Sequence, residues 1–213
     1  ALSCFQGQME RNYEAWLNKD FLTTILKGTE ECEVEVEVID FNIHSAVPPG
    51  NNYTSSLYRV HVRYRTPGLP HEQSKSFIVK VPILGTFLSD FSEKLDLFNK
   101  EKNVYHDLLP NMENKIKVKF GPHIFATPLN TAIVLQDLRE NGYSMCDRFN
   151  QLDFPHCKKV IVKVAEFHAA SVVYHCENPS LVETVAKELV YVKNGAYEKE
   201  VKNWVEKSVT AIE

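Results

Sequence analysis

The stretch from Tyr58 to Arg65 constrains the fold more than any other part of the sequence. Tyr58, Val60, Val62 and Tyr64 occupy one parity, and Arg59, His61, Arg63 and Arg65 the other. A period of two makes this a strand with one apolar face and one cationic face. Thr66-Pro67-Gly68-Leu69-Pro70 follows, a loop by composition. A second apolar run, Phe77-Ile78-Val79-Lys80-Val81, comes soon after. Parallel pairing needs a crossover of about a dozen residues or more, and the connection is too short for one. The two strands therefore pair antiparallel. The arginines on one face argue against a sheet packed on both sides.

Upstream, Tyr13, Leu17, Phe21 and Ile25 recur every four residues, and Lys27-Gly28 closes that amphipathic helix. Val34, Val36 and Val38 alternate with glutamates, predicting a half-exposed strand over 33–38. Phe41 and Ile43 fall on the opposite parity, which predicts a bulge or bend near Ile39-Asp40. Pro48-Pro49-Gly50-Asn51-Asn52 is a turn. Downstream, a helix is predicted over 90–109, stopped by Pro110, then short strands over 123–126 and 132–135. Asp153 and Pro155 start a further helix. Its expected buried stripe is Cys157, Ile161, Val164, His168 and Val172. Two more helical patterns follow, the last with Val201, Trp204, Val205, Val209 and Ile212 on one face. Strands first and helices afterwards predict an α+β fold with one antiparallel five-stranded sheet. A composition shift near 136 divides a β-rich part, 1–135, from an α-rich part, 136–213.

Of the 213 residues, 44% are hydrophobic and 24% charged, the balance of an ordinary globular protein. A net charge of −4 argues against a general nucleic-acid binder. No apolar run approaches the ~20 residues that span a bilayer. The N-terminus shows no basic region followed by an apolar core, so no signal peptide is expected and a cytoplasmic location is. The five cysteines, Cys4, Cys32, Cys146, Cys157 and Cys176, show no metal spacing and read as reduced thiols.

Phe98, Glu101, Tyr105 and Leu108 share one face of the predicted helix, which puts a carboxylate on an apolar stripe. A buried carboxylate calls for a cation. Lys80 is the candidate: a strand lysine paired with a helix glutamate is how protein kinases hold ATP phosphates. The same two residues also fit an exposed lysine on an edge strand and a solvated helix glutamate.

Several segments carry a resemblance when taken in order. They are Pro49-Gly50-Asn51-Asn52-Tyr53-Thr54-Ser55, Phe77-Ile78-Val79-Lys80-Val81-Pro82, Lys100-Glu101-Lys102-Asn103-Val104-Tyr105, Ile133-Val134-Leu135-Gln136-Asp137-Leu138, and Val164-Ala165-Glu166-Phe167-His168-Ala169-Ala170-Ser171. Over about residues 21–177 the sequence resembles the insect ecdysteroid-kinase-like family, relatives of choline kinase and the aminoglycoside phosphotransferases. The resemblance implies a protein-kinase-like fold. It also implies ATP- and Mg²⁺-dependent phosphorylation of a small-molecule hydroxyl, such as that of an ecdysteroid. In that light the Gly50–Ser55 turn, through Gly50, Asn52, Tyr53, Thr54 and Ser55, would cover the ATP phosphates beside Lys80 and Glu101. Without a full GxGxxG, it also fits a plain hairpin turn. Gln136 to Leu138 would be the hinge that offers backbone groups to adenine. His168 would have a packing role, and Asp137 and Asp147 solvated or capping roles.

The family's catalytic loop resembles His-Gly-Asp followed by an Asn, with a metal-binding Asp further on. This sequence contains no His-Gly-Asp, and no Asp-Phe-Gly-like segment after residue 177. It therefore reads as the N-terminal lobe, hinge and first C-terminal-lobe helices of a kinase, with no catalytic residue or metal ligand assigned. A non-catalytic nucleotide-binding or regulatory kinase-like protein is the alternative. An unrelated lipid- or hormone-binding α+β domain is a third reading.

Overall fold

A computed structural model describes residues 15–28, 35–48, 52, 54–147 and 149–210. The first helix among the described residues, α1, spans Lys19–Lys27. It starts later than the four-residue periodicity suggests, because the Asn18 side chain accepts a hydrogen bond from the Phe21 N–H at 3.0 Å and caps it. Leu17 is buried just ahead of the cap; Tyr13 lies outside the described residues. Strands β1 (Glu37–Ser45), β2 (Ser55–Arg65) and β3 (Gln73–Pro82) follow. Together with β4 (Ile124–Phe125) and β5 (Ile133–Gln136) they form a five-stranded sheet in the order β1-β2-β3-β5-β4. Every pairing in it is antiparallel. The register slips between Val38 and Asp40, where the parity change placed a bulge. The first strand begins later than expected, and Val34 lies outside the described residues.

One face of the sheet carries the core. Val60, Val62, Phe77, Val79 and Val134 are fully buried there against Phe21, Leu22, Ile25 and Leu26 of α1. Phe77 and Phe125 meet edge to face at 5.1 Å. The register puts Lys80 between Leu57 and Ile133, and Ile78 between Arg59 and Leu135. Those residues belong to the opposite face. Arg63 and Arg65 are exposed, as their parity requires, while Arg59 is largely covered.

The helical segment after β3 differs from the single helix predicted over 90–109. It consists of α2 (Phe87–Lys94), α3 (Leu97–Asn103), a π-helical turn over Val104–Leu108, and α4 (Leu109–Ile116). Asp96, at φ 51°, breaks the chain between α2 and α3. Pro110 does not stop the helix but sits in the first turn of α4. The π turn just before it explains this: the Leu109 N–H reaches back five residues to the Val104 carbonyl. That extra residue loosens the turn where a proline ring would clash. The Asn111 side chain then donates to the Asp107 carbonyl at 2.6 Å.

After β5 the chain enters a 3₁₀ turn over Leu138–Asn141. Helix α5 (Phe154–Glu177) is capped by Asp153, which accepts from the His156 N–H at 2.9 Å. Helices α6 (Pro179–Val185) and α7 (Glu198–Thr210) are the last among the described residues. A second cluster joins Leu108 and Met112 to Ala170 and Tyr174 of α5, with Phe120 and Phe167 beside them. The buried residues of α5 are thus Ala170 and Tyr174, with Phe167 half-buried beside them, and the expected stripe is wrong. Ile161 is 68% exposed and Val172 64%, and His168 is exposed rather than packed. Much of α5 is apolar around its circumference, so periodicity alone does not select the face. Small Ala170 lets α4 approach, and that contact selects it. The face of α7 is likewise largely exposed: only Val201 is half-buried among that face's described residues, and Trp204 is exposed although its ring lies 5.6 Å from that of Phe91. Ile212 lies outside the described residues. Among the described residues no helix is long and apolar enough to cross a membrane.

Candidate functional site

Lys80 projects from β3 on the face opposite α1, and Glu101 comes from α3. Lys80 Nζ lies 2.5 Å from Glu101 Oε2, with side chains 18% and 32% exposed. The exposed-lysine and solvated-glutamate alternative therefore does not hold. An ion pair this accessible to water adds little to stability. Its consequence is positional: the carboxylate fixes the ammonium over the apolar sheet face. Tyr105 follows one turn later. Burial, and then the negative charge of Glu101, push its phenol above the usual range, so it stays neutral beside the pair.

At the other end of the same face, β5 leads into the predicted hinge. Asp137 is not solvated there; it is 3% exposed. Its carboxylate accepts from Arg59 Nε at 2.6 Å, Ser76 Oγ at 2.8 Å and the Arg139 N–H at 3.2 Å. The last of these is the capping role expected of it. Burial pushes the Asp137 carboxyl up, but the bonds from Arg59, Ser76 and Arg139 outweigh that, and its pKa lies below the ordinary value. Sequence reading missed the Arg59 partnership, since the two residues lie far apart in the chain. Arg59 stood on the cationic parity of its strand with no sign of a buried acid opposite. The backbone N–H of Gln136 donates to the His123 carbonyl at 2.8 Å, and its side-chain amide to Asn141 Oδ1 at 2.8 Å. Leu138 is half-buried, and its carbonyl accepts from the Tyr143 N–H at 3.2 Å. Asp147 is exposed and caps its own turn, accepting from the Phe149 N–H at 2.9 Å.

Of the predicted phosphate turn, Gly50 and Tyr53 lie outside the described residues. Asn52 is half-buried, and its amide nitrogen is buried without a hydrogen-bond partner. Thr54 is exposed, and its carbonyl accepts from the Ile83 N–H at 3.0 Å. Ser55 is buried and faces Pro82 across the ladder. Lys80 pairs with Leu57, so the turn lies at the Lys80 end of the β2–β3 ladder. The sheet thus brings together on one face Ser55, the Lys80–Glu101 pair, an apolar strip of Leu57, Ile78 and Leu135, and the Arg59–Asp137 contact at the hinge.

These groups fit a polyphosphate joined to a flat apolar ring. The ammonium is fixed, and the Asn52 amide is a donor without a partner near the turn. They do not by themselves fit Mg²⁺: among the described residues no three His, Cys, Asp or Glu side chains converge as a metal site. A separate hollow of about 880 Å³ beside α7 is lined by Asn194, Glu198, Lys202 and Glu206, and none of the candidate site residues borders it.

Residues 49–213, most of the chain, match the model of the ecdysteroid kinase-like family. Comparison with curated proteins and with solved structures gave no match.

Proposed function

We propose that this chain, which belongs to the ecdysteroid kinase-like family, binds ATP on the Lys80 face of its sheet as part of a small-molecule kinase. The observation that carries this reading is the Lys80–Glu101 pair at 2.5 Å. Kinase chemistry is mostly positioning and charge stabilisation, and a lysine held by a helix glutamate does both for phosphates. Asn52, Thr54 and Ser55, with Gly50 and Tyr53, would cover those phosphates. Leu57, Ile78 and Leu135 would lie against the adenine ring. The hinge from Gln136 to Leu138 would meet its edge through the backbone. The nucleotide would sit between a lobe formed by 1–135 and a second begun by 136–213, in the cytoplasm. The acceptor is a small-molecule alcohol, with an ecdysteroid hydroxyl as the leading candidate. The ATP γ-phosphoryl is the group transferred.

The sequence contains no His-Gly-Asp, and no Asp-Phe-Gly-like segment after residue 177. No aspartate here stands in a motif that orients an attacking hydroxyl or holds a metal. By itself the chain is therefore proposed to bind ATP weakly, with little dependence on Mg²⁺, and not to turn it over. The lack of a converging acidic cluster among the described residues also favours a second reading, a non-catalytic nucleotide-binding or regulatory role.

Titration calorimetry with ATP, with and without Mg²⁺, tests the binding. Measurable affinity that is indifferent to Mg²⁺ is expected. No affinity refutes the nucleotide reading, and tight Mg²⁺-dependent binding refutes the assignment of no metal ligand. Labelled ATP with an ecdysteroid or choline-like acceptor tests turnover, and a phosphorylated acceptor lost in Lys80→Ala would overturn the expected inactivity.

A further inference from the structure

We propose that Arg59 and Asp137 are positioning residues for the nucleotide: they hold the hinge turn at a set distance from the sheet. This inference rests on the nucleotide reading above. The β3–β5 ladder ends at the pair Phe77 and Gln136. One residue earlier in β3, Ser76 still pairs with His61 of β2, but on its other side the N–H has no β5 residue to meet. It donates instead to Glu140 Oε1 at 2.8 Å, so a side-chain carboxylate stands in for the missing strand carbonyl. The Ser76 hydroxyl donates to Asp137 Oδ2 at 2.8 Å. From β2, Arg59 reaches both oxygens of the same carboxylate, Nε at 2.6 Å and Nη2 at 3.4 Å. Donors from β2, β3 and the turn thus meet on Asp137, whose side chain is 4% exposed.

Apolar packing does not explain how the turn is held. Leu138–Asn141 contains no buried residue. Besides the half-buried Leu138 and the Gln136–Asn141 side-chain bond at 2.8 Å, the carboxylates of Asp137 and Glu140 tie it to β2 and β3. A charge pair desolvated in this way is a poor source of net stability, since apolar residues of similar volume often serve as well. What a two-pronged guanidinium–carboxylate contact does supply is a fixed direction and distance. The backbone beside it, at Leu138, is where a nucleobase edge would be met. Displacement of a recognition group by about 1 Å is enough to weaken binding or catalysis substantially.

The test compares ATP with inorganic triphosphate, which lacks the base and has no use for the hinge. Affinities are measured for wild type, Arg59→Lys, Asp137→Asn and Glu140→Gln. Amide hydrogen exchange is followed in parallel over 138–141 and over α5. Arg59→Lys keeps the charge but loses the fork, so it tests geometry even if Asp137→Asn folds poorly. In the variants ATP is expected to bind about tenfold more weakly, while triphosphate affinity stays at the wild-type value. Exchange should quicken in the hinge turn and stay unchanged in α5. Equal ATP affinity in wild type and Arg59→Lys overturns this inference alone. A parallel loss of ATP and triphosphate binding also overturns it, as the mark of a merely structural pair. Failure of the wild type to bind ATP removes the nucleotide reading, and this inference with it.

Discussion

Glu113 gives the most direct test of the energetics that hold the second core cluster. It lies near the end of α4, next to the fully buried Met112, and is itself 9% exposed. Its carboxylate accepts from the Phe120 N–H at 2.8 Å, the Gly121 N–H at 3.4 Å and Lys119 Nζ at 2.7 Å. These bonds fasten the loop that leads into β4. Lys119 is 84% exposed, so its ion pair adds only a few tenths of a kcal/mol. The Gly121 bond is long and weak. The Phe120 bond is charge-assisted, and cutting it leaves a donor poorly satisfied; such losses cost about 1.5–3 kcal/mol. Glu113→Ala should therefore destabilise by about 2–3 kcal/mol. Glu113→Gln keeps an acceptor but loses the charge, and should cost about 1 kcal/mol. Burial raises the Glu113 pKa, but Lys119 and the Phe120 N–H outweigh it, and the folded value falls below the ordinary one. The stability that this shift supplies is complete above the unfolded glutamate pKa of about 4.3. It is lost as pH falls through the lower folded value. Urea unfolding followed by tryptophan fluorescence, repeated from neutral to acid pH, measures both effects. Glu113→Ala within 0.5 kcal/mol of wild type, on the order of an ordinary surface change, would refute the reasoning. So would an acid limb in Glu113→Gln as steep as that of wild type.

Asp137→Ala should cost about 3–5 kcal/mol, because it leaves Arg59 largely covered without its carboxylate; the unfolding midpoint in urea checks this. Ala170→Leu should destabilise by about 1–3 kcal/mol by wedging α4 from α5, since Ala170 is fully buried. His168→Ala, on the exposed side of the same helix, should stay within about 0.5 kcal/mol of wild type. Thermal unfolding of the two variants side by side separates the observed face of α5 from the one periodicity suggested. Phe77→Ala should lose about 3–5 kcal/mol, because it empties the centre of the sheet core beside Phe125; equilibrium unfolding measures it.

The sheet was legible because its signals are local. The parity of residues 58–65, the short loop after them and the parity change at Ile39-Asp40 each fix a strand property without reference to distant parts of the chain. Lys80 and Glu101 were legible for a related reason: a carboxylate on an apolar helix face is costly unless paired, and one apolar strand carried a lysine. Three features were not legible. Pro110 usually ends a helix, and nothing in the local sequence announces the π turn that accommodates it. The buried face of α5 depends on which side α4 meets, a tertiary choice that a broadly apolar helix leaves open. Asp137 reads as a solvated or capping acid and Glu113 draws no reading, because their partners are an arginine far along the chain and backbone N–H groups of a loop.

The central claim is that Lys80, held by Glu101, receives nucleotide phosphates. Titration of ATP and adenosine into wild type and Lys80→Ala, after unfolding midpoints confirm that both are folded, tests it most directly. Lys80 is only 18% exposed and lies 2.5 Å from its partner, so its ammonium is already in place before ligand arrives. Removing a charge-assisted contact to phosphate should cost about 1.5–3 kcal/mol, about a tenfold or greater loss of ATP affinity. Adenosine affinity should not change. Equal ATP affinity in the two proteins would contradict the claim.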